Sequence, residues 1–499
     1  RYWTTKVEQV RYTLNADWKE GIDAFASAFD KAPLDIRSSL LDMVARRVED
    51  AKRNQEYDRA TRYEYEIRLV KQKLRRLELS ESREMMEALR ADYQEPHYKL
   101  DILTRFANYN MQSGNLFESY ECLQEALDLC ESRPEMSKWT GRILDTLGMV
   151  TRRLGRLEDA ARYHEQALRT YQETPSLDQA HLAEIFNNIC YIKARQGLYE
   201  SALSHCKQAL RMREQLGVDQ AIAATHSTLG ELYRNWGKYD EALQHYNEAL
   251  RVFEPQNDRT WLARLYSQRG AVHRLKGKLE QAEADLRRSI EYNVRTEMPW
   301  QYHVLGCVLW NKGDLDGALQ HFDSSMQLAD EVHDIRTQVN NLVGTAEVAY
   351  AKCKASQQSD EAWRETILKQ AEKLDQMCEE GYDFPHHYGR MQRVLADLAF
   401  DEGRYDDALK IYAEAYALLS RRQGGYGRRT FGDEIDMLTQ RIDQLAEGDP
   451  HTAIRWCDYL SDYWSKANLV TRRRETMVST CNIYKSTALL HVKGRGRAE

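Results

Sequence analysis

The chain has 499 residues, 30% of them charged and only eight of them proline, with a formal net charge of −7. That composition suits a helical chain with a buried core, and it excludes a proline-rich or disordered one. No stretch approaches the roughly 18 apolar residues of a membrane span, and the acidic balance weighs against a nucleic-acid binder.

The start, Arg1-Tyr2-Trp3-Thr4, has neither Met nor the apolar core of a secretory signal. It fits an excised or processed piece, with room for an effector or ATPase domain upstream. Residues 1–95 read as an N-terminal helical cap holding one degenerate unit, in which Gln55, Tyr57 and Ala60 stand at turn and second-helix positions behind Val48 and Ala51. The mixed-sign run Tyr63–Leu79 reads as the solvated side of a long helix. The end of a stack must present such a polar face.

From residue 96 a phrase of fixed internal order recurs, clearest at Leu229, Gly230, Tyr233, Gly237, Tyr239, Ala242, Tyr246 and Ala249. Its second glycine returns as Gly114, Gly155, Gly197, Gly237, Gly277, Gly313 and Gly403, with steps of 41, 42, 40, 40 and 36 residues across the first six. A fixed period in this range is the mark of stacked units. Leu229 and Tyr233 lie four apart on one face of a first helix, and Tyr239, Ala242, Tyr246 and Ala249 lie three and four apart along a second. Gly237 sits at the junction, where a left-handed residue is needed. Gly230 and Ala242 are small enough for the two helices to approach closely. One pair cannot cover its own apolar faces, so neighbours must stack.

These residues resemble tetratricopeptide repeats from about Lys99 to Ser420. Cys190 and Ala396 replace the first small glycine in their units, and Arg269 replaces the Leu. The period of about 40 residues is similar to that of kinesin light chain repeats. Pro134, Pro175, Pro255 and Pro299 keep time with it and are expected between units. The resemblance implies an all-α fold, a right-handed superhelical solenoid of stacked antiparallel helix pairs. Regular repeats are expected over 96–335, a degenerate repeat with a polar insertion at Lys354–Asp360 over 336–390, and a further repeat over 391–420. Residues 421–499 read as C-terminal helices and a basic tail, with a basic flexible loop at Arg421–Arg429 and an aromatic-rich helix at Thr452–Trp464 that caps the stack or docks a partner.

Nine scattered cysteines with no Cys-x-x-Cys read as reduced core thiols in the cytoplasm, with Cys190 and Cys206 at repeat core positions. Chemical motifs fail on inspection. His164-Glu165 begins a zinc-protease helix but Leu168 stands where the second ligand belongs, and the Gly237-Lys238 and Gly277-Lys278 pairs lack the Ser or Thr of a phosphate loop. His386-His387, near Pro385, read as surface loop residues and not as metal ligands. No cofactor, metal or catalysis is expected, and the chain reads as a non-enzyme.

In the resembled family, first helices line a concave groove that binds peptides or protein segments. The phase of the repeat places Arg152, Arg234, Arg274 and Trp310 there in the last turns of their helices, with Arg195 one residue later in its unit. Arg142 and Arg264 fall near helix starts, and Asn187, Tyr191 and Asn341 fall between. Two readings of the arginines remain. The helix dipole alone favours a cation in a last turn by about 0.3–1 kcal/mol; arginine is also the side chain best shaped to grip a carboxylate in two places. The sequence therefore points to an interaction scaffold or sensor module holding a protein segment, acidic by the charge of the groove. The alternatives are the C-terminal sensor array of a larger signalling ATPase or protease, and an RNA-binding helical repeat.

Overall fold

Each of the seven phase-marking glycines adopts the left-handed backbone that a helix end needs, from Gly277 at φ +74° to Gly313 at φ +88°, in the computed structural model. At Gly237 the chain closes helix ends with two bonds: Gly237 N donates to Arg234 O at 3.1 Å and Lys238 N to Tyr233 O at 2.9 Å. The last carbonyls of the first helix are thereby satisfied while the chain reverses into the second. The structure describes residues 2–495 apart from 17, 34–35, 38, 42, 46–58, 76–78, 174–178, 356–360, 420–430 and 467–470. The expectations for Val48, Ala51, Gln55 and Tyr57, for Pro175, for most of the 354–360 insertion and for the basic loop lie outside the described residues.

Two compact units divide the chain, Arg1–Trp139 and Thr140–Glu499. The first contains α1 (Tyr2–Ala16), α2 (Trp18–Lys31), α3 (Arg59–Arg75), α4 (Leu79–Asp92), α5 (Pro96–Gln112), α6 (Leu116–Glu131) and a 3-10 turn at Pro134–Trp139. Helices α5 and α6 form one complete repeat, in which Ser119 at the small position is fully buried and donates its hydroxyl to Ala107 O at 2.7 Å.

The second unit is a succession of antiparallel pairs: α7 (Thr140–Arg153) with α8 (Leu157–Gln172), α9 (Gln179–Arg195) with α10 (Tyr199–Leu216), and α11 (Asp219–Asn235) with α12 (Tyr239–Gln256). These are followed by α13 (Arg259–Leu275) with α14 (Leu279–Glu291), α15 (Met298–Lys312) with α16 (Leu315–Glu331), α17 (Ile335–Ala355) with α18 (Glu361–Glu379), and α19 (Pro385–Asp401) with α20 (Tyr405–Leu419). Helices α21 (Phe431–Gly448), α22 (Pro450–Lys466) and α23 (Thr471–Arg495) complete it. The described residues contain no strand, and no helix among them is long and apolar enough to cross a membrane.

Packing follows the small positions. Ala160, Ala202, Ala242, Ala282, Ala318 and Ala408 have no exposed surface. A Cβ built on Gly230 would lie 2.6 Å from the Tyr246 ring, and one on Gly306 2.7 Å from Phe322, so the first helix comes as close to the aromatic ring as glycine permits. The same contact explains a correction. Cys190 and Cys206 occupy the positions that Gly230 and Tyr246 hold in their own unit, and the structure joins them as a disulfide with Cα atoms 5.3 Å apart, where reduced thiols were expected. Spacing of 16 residues, equal to that of Gly230 and Tyr246, puts the two sulfurs face to face.

Two other expectations change. Pro255 lies inside the last turn of α12, and Pro299 in the first turn of α15, so neither stands clear of a helix. His387 is buried in the first turn of α19, with Nε2 3.2 Å from Asn340 Oδ1, because Pro385 starts that helix and does not merely extend a loop. Trp464 of α22 donates its indole N–H to Ala413 O at 3.1 Å, and it and Trp456 are buried against α20.

Candidate functional site

Within the second unit the turn after α7 reaches residues far along the chain. Asp383 N donates to Leu154 O at 2.9 Å. Arg156 donates through Nε and Nη2 to Gly381 O at 3.1 and 2.9 Å, and Arg153 Nη2 donates to His333 O at 3.3 Å. Gly155 sits at this junction, where a Cβ would fall 2.1 Å from Asp383 O. The groove expected from the sequence is therefore bridged: the α7–α8 turn is bonded to the segment between α18 and α19.

Beside the bridge lies a cavity of about 550 Å3, whose lining includes Arg152, Arg153, Tyr191, Arg195, Arg336 and His386. Tyr191 is its organising side chain. Its hydroxyl oxygen accepts from Arg195 Nη1 at 3.1 Å and from Arg336 Nη1 at 2.9 Å, the latter across 145 residues of sequence. The Arg152 guanidinium lies over the ring, 4.9 Å from its centroid, and that of Arg195 at 5.8 Å. Burial alone would push the phenol up; Arg336, Arg195 and Arg152 overcome it, against Glu231, and hold it at about 8. No carboxylate of the described residues lies within ion-pair distance of Arg152.

The remaining predicted residues divide by their neutralising partners. Arg234 is buried, with Nη1 2.6 Å from Gln268 Oε1 and Nη2 3.4 Å from Glu231. Arg264 grips Glu297 at 2.5 Å. Arg274 is buried, and burial pushes it below its ordinary value, with Arg390 and Arg234 acting in the same direction. Arg142 is exposed, and Asn187 Oδ1 is buried with no hydrogen-bond partner among the described residues. Trp310 is buried beside Phe322, and Asn341 is committed to His303 and Ser325. The cavity thus brings together Arg152, Tyr191 and Arg195, while the other predicted residues lie outside its lining.

Sequence reasoning missed Arg153 and Arg336. Arg336 opens α17, two residues after the Asp334 that caps it by accepting from Thr337 N, so its repeat phase is that of a helix start and not of a last turn. Asn235 was also missed; it is 3% exposed, and neither its amide nitrogen nor its oxygen is hydrogen-bonded among the described residues.

Residues 98–173, 181–255 and 221–293 match the family model described as tetratricopeptide repeat. No curated protein matches the chain. A solved Rap protein complexed with Competence and Sporulation Factor is 18% identical, covering 74% of this chain and 99% of its own, with a TM-score of 0.51. The apo quorum sensor NprR from B. thuringiensis is 14% identical over 81% of this chain and 100% of its own, with a TM-score of 0.46. A tetratricopeptide repeat protein from Parabacteroides merdae ATCC 43184 is 17% identical over 56% of this chain and 98% of its own, at 0.41.

Proposed function

Since residues 98–173 and 181–293 of this chain are tetratricopeptide repeats, we propose that the second unit is a non-enzymatic sensor or scaffold module that holds an acidic group of a peptide or protein segment in the cavity at Tyr191. The observation that carries this reading is the convergence of Arg152, Arg195 and Arg336 on one phenol, with two guanidiniums donating to its oxygen. A carboxylate or phosphate offers the same guanidiniums a full negative charge and two or more acceptor atoms, so it competes well for them. Each charge-assisted bond contributes about 1.5–3 kcal/mol at a partly buried site, and several are needed beside an apolar anchor to hold a segment. The fold-level likeness to a Rap protein solved with a bound factor supports the same reading.

The test is fluorescence anisotropy with labelled peptides of matched length and opposite charge, on the wild type and on Arg152→Glu and Arg336→Glu. Acidic peptides should bind, with affinity falling as salt rises, and each charge reversal should weaken binding at least about tenfold, one lost contact of roughly 1.4 kcal/mol. Equal binding of the two peptide charges, or unchanged binding in both folded variants, would remove the proposal.

A further inference from the structure

A second group of reactive side chains lies on α15, outside the lining of the cavity at Tyr191. Cys307 Sγ is 3.6 Å from His303 Nε2, one helical turn earlier. His303 Nδ1 is 2.7 Å from Asn341 Oδ1 on α17. Asn341 Nδ2 in turn donates to Ser325 Oγ at 2.8 Å, and Ser325 donates its hydroxyl to Pro299 O at 2.6 Å.

The chain of bonds assigns its own protons. A main-chain carbonyl can only accept, so the Ser325 hydroxyl hydrogen points at Pro299 and its oxygen is left to accept from the Asn341 amide. With its NH2 so directed, Asn341 presents its oxygen to His303. That oxygen can only accept, so Nδ1 carries the imidazole proton and Nε2 faces the thiol as a base. The ring is held between Trp300 and Phe322, with centroids 5.5 and 5.3 Å away. From α13 and α19, Arg274 and Arg390 add positive field at the sulfur, Arg390 being paired with Glu347.

We infer that Cys307, His303 and Asn341 form an activated-thiol site that is modified by α,β-unsaturated carbonyl compounds. His303 Nε2 takes the thiol proton; the thiolate then forms a bond to the β carbon as the C=C π bond breaks, and the α carbon receives a proton back from the imidazolium. Nothing is oxidised or reduced, and no other reactant is consumed. Cys307 is the nucleophile, His303 its base, and Asn341 a positioning residue that fixes the imidazole tautomer. Cys307 is 8% exposed and packs with Trp310, Phe322 and Val348, so the electrophile that fits is small and uncharged.

Burial would push the Cys307 thiol up, but His303, Arg274 and Arg390 hold it at about 7, whereas burial pushes Cys457 and Cys481 up to about 12. The folded chain therefore contains its own controls. Acrylamide, itself an α,β-unsaturated carbonyl, is added to the native protein at pH 6 to 9.5, and adduct on each cysteine is followed by peptide mass spectrometry. Cys307 should react at least about tenfold faster than Cys457 and Cys481 at neutral pH, with its rate levelling above a midpoint near 7. His303→Gln and Asn341→Ala should each move that midpoint upward while Cys378 is labelled as before. A Cys307 rate no greater than that of Cys457 and Cys481, a wild-type midpoint at or above 9, or an unmoved midpoint in both folded variants would overturn the inference. The wild-type profile decides the matter if either variant does not fold.

Discussion

Arg156 donates through two nitrogens to the carbonyl oxygen of Gly381, 225 residues further along the chain, at 3.1 and 2.9 Å. Stacked repeats contact their neighbours in sequence, and a bond over this distance ties the first pair of the second unit to its sixth. Bonds from a charged donor contribute about 1.5–3 kcal/mol where water is partly excluded.

The junction makes two glycines unequal. Gly155 and Gly237 both adopt positive φ, but a Cβ on Gly237 meets nothing within 4 Å, whereas one on Gly155 collides with Asp383 O. Gly237→Ala should cost about 1–2 kcal/mol, the left-handed penalty alone. Gly155→Ala should cost roughly 2–4 kcal/mol because overpacking adds to it. Urea unfolding of the two variants checks the order, and equal losses would show that the junction is not formed in solution.

The disulfide replaces a contact that the other units make with glycine and a ring. Reduction should lower stability by about 3 kcal/mol if the effect is that of closing a short loop. The double variant Cys190→Gly/Cys206→Tyr restores the pairing seen at Gly230 and Tyr246 and should recover part of the loss. Denaturation with and without reductant measures both, and a melting curve indifferent to reductant would mean that the bond does not form.

Tyr191 should ionise with a midpoint near pH 8, below the ordinary phenol at 10. Between those values the unfolded chain holds the proton that the folded one has released, so this group contributes stability that rises with pH from 8 to 10 and is absent below 8. Absorbance of phenolate, compared with Tyr191→Phe, tests it; a difference that develops only with a midpoint at or above 10 would mean that the three arginines do not converge.

Acid should act on a different pair. His226 Nδ1 lies 2.9 Å from His245 Nδ1, and burial, followed for His245 by the neighbouring ring, lowers both, His245 to about 4. Neutral rings are favoured in the folded state, so their contribution is complete above the unfolded value of 6.5 and is lost as pH falls towards 4. The melting temperature of wild type should fall more between pH 7.5 and 5 than that of His226→Asn/His245→Asn.

The repeat architecture was legible because it rests on local rules: a glycine every 40 or so residues that only a left-handed turn explains, and small residues where helices touch. That Tyr191, Arg152 and Arg195 share one face was legible for the same reason, since it follows from their phase on α7 and α9. Arg264 was counted towards a basic groove because its partner, Glu297, lies 33 residues on, nearly one repeat away. Opposite charges in adjacent units neutralise each other, and a reading that collects arginines by phase overlooks the acids in the next unit. Arg336 and Gly381 were not legible at all, because the rotation between successive pairs, summed over several units, decides what faces what, and no single repeat encodes it. His303 and Cys307 were not singled out, because a one-turn spacing alone marks nothing and the amide that orients the imidazole comes from another helix.

The bond between the α7–α8 turn and Gly381 also limits how this gene can change. An open array can gain or lose a unit through unequal recombination and still be a sound array. Here an added helix pair between Gly155 and Gly381 would carry the acceptor past its donors, so the number of units in that interval is fixed by geometry and new specificity has to arise by substitution within it.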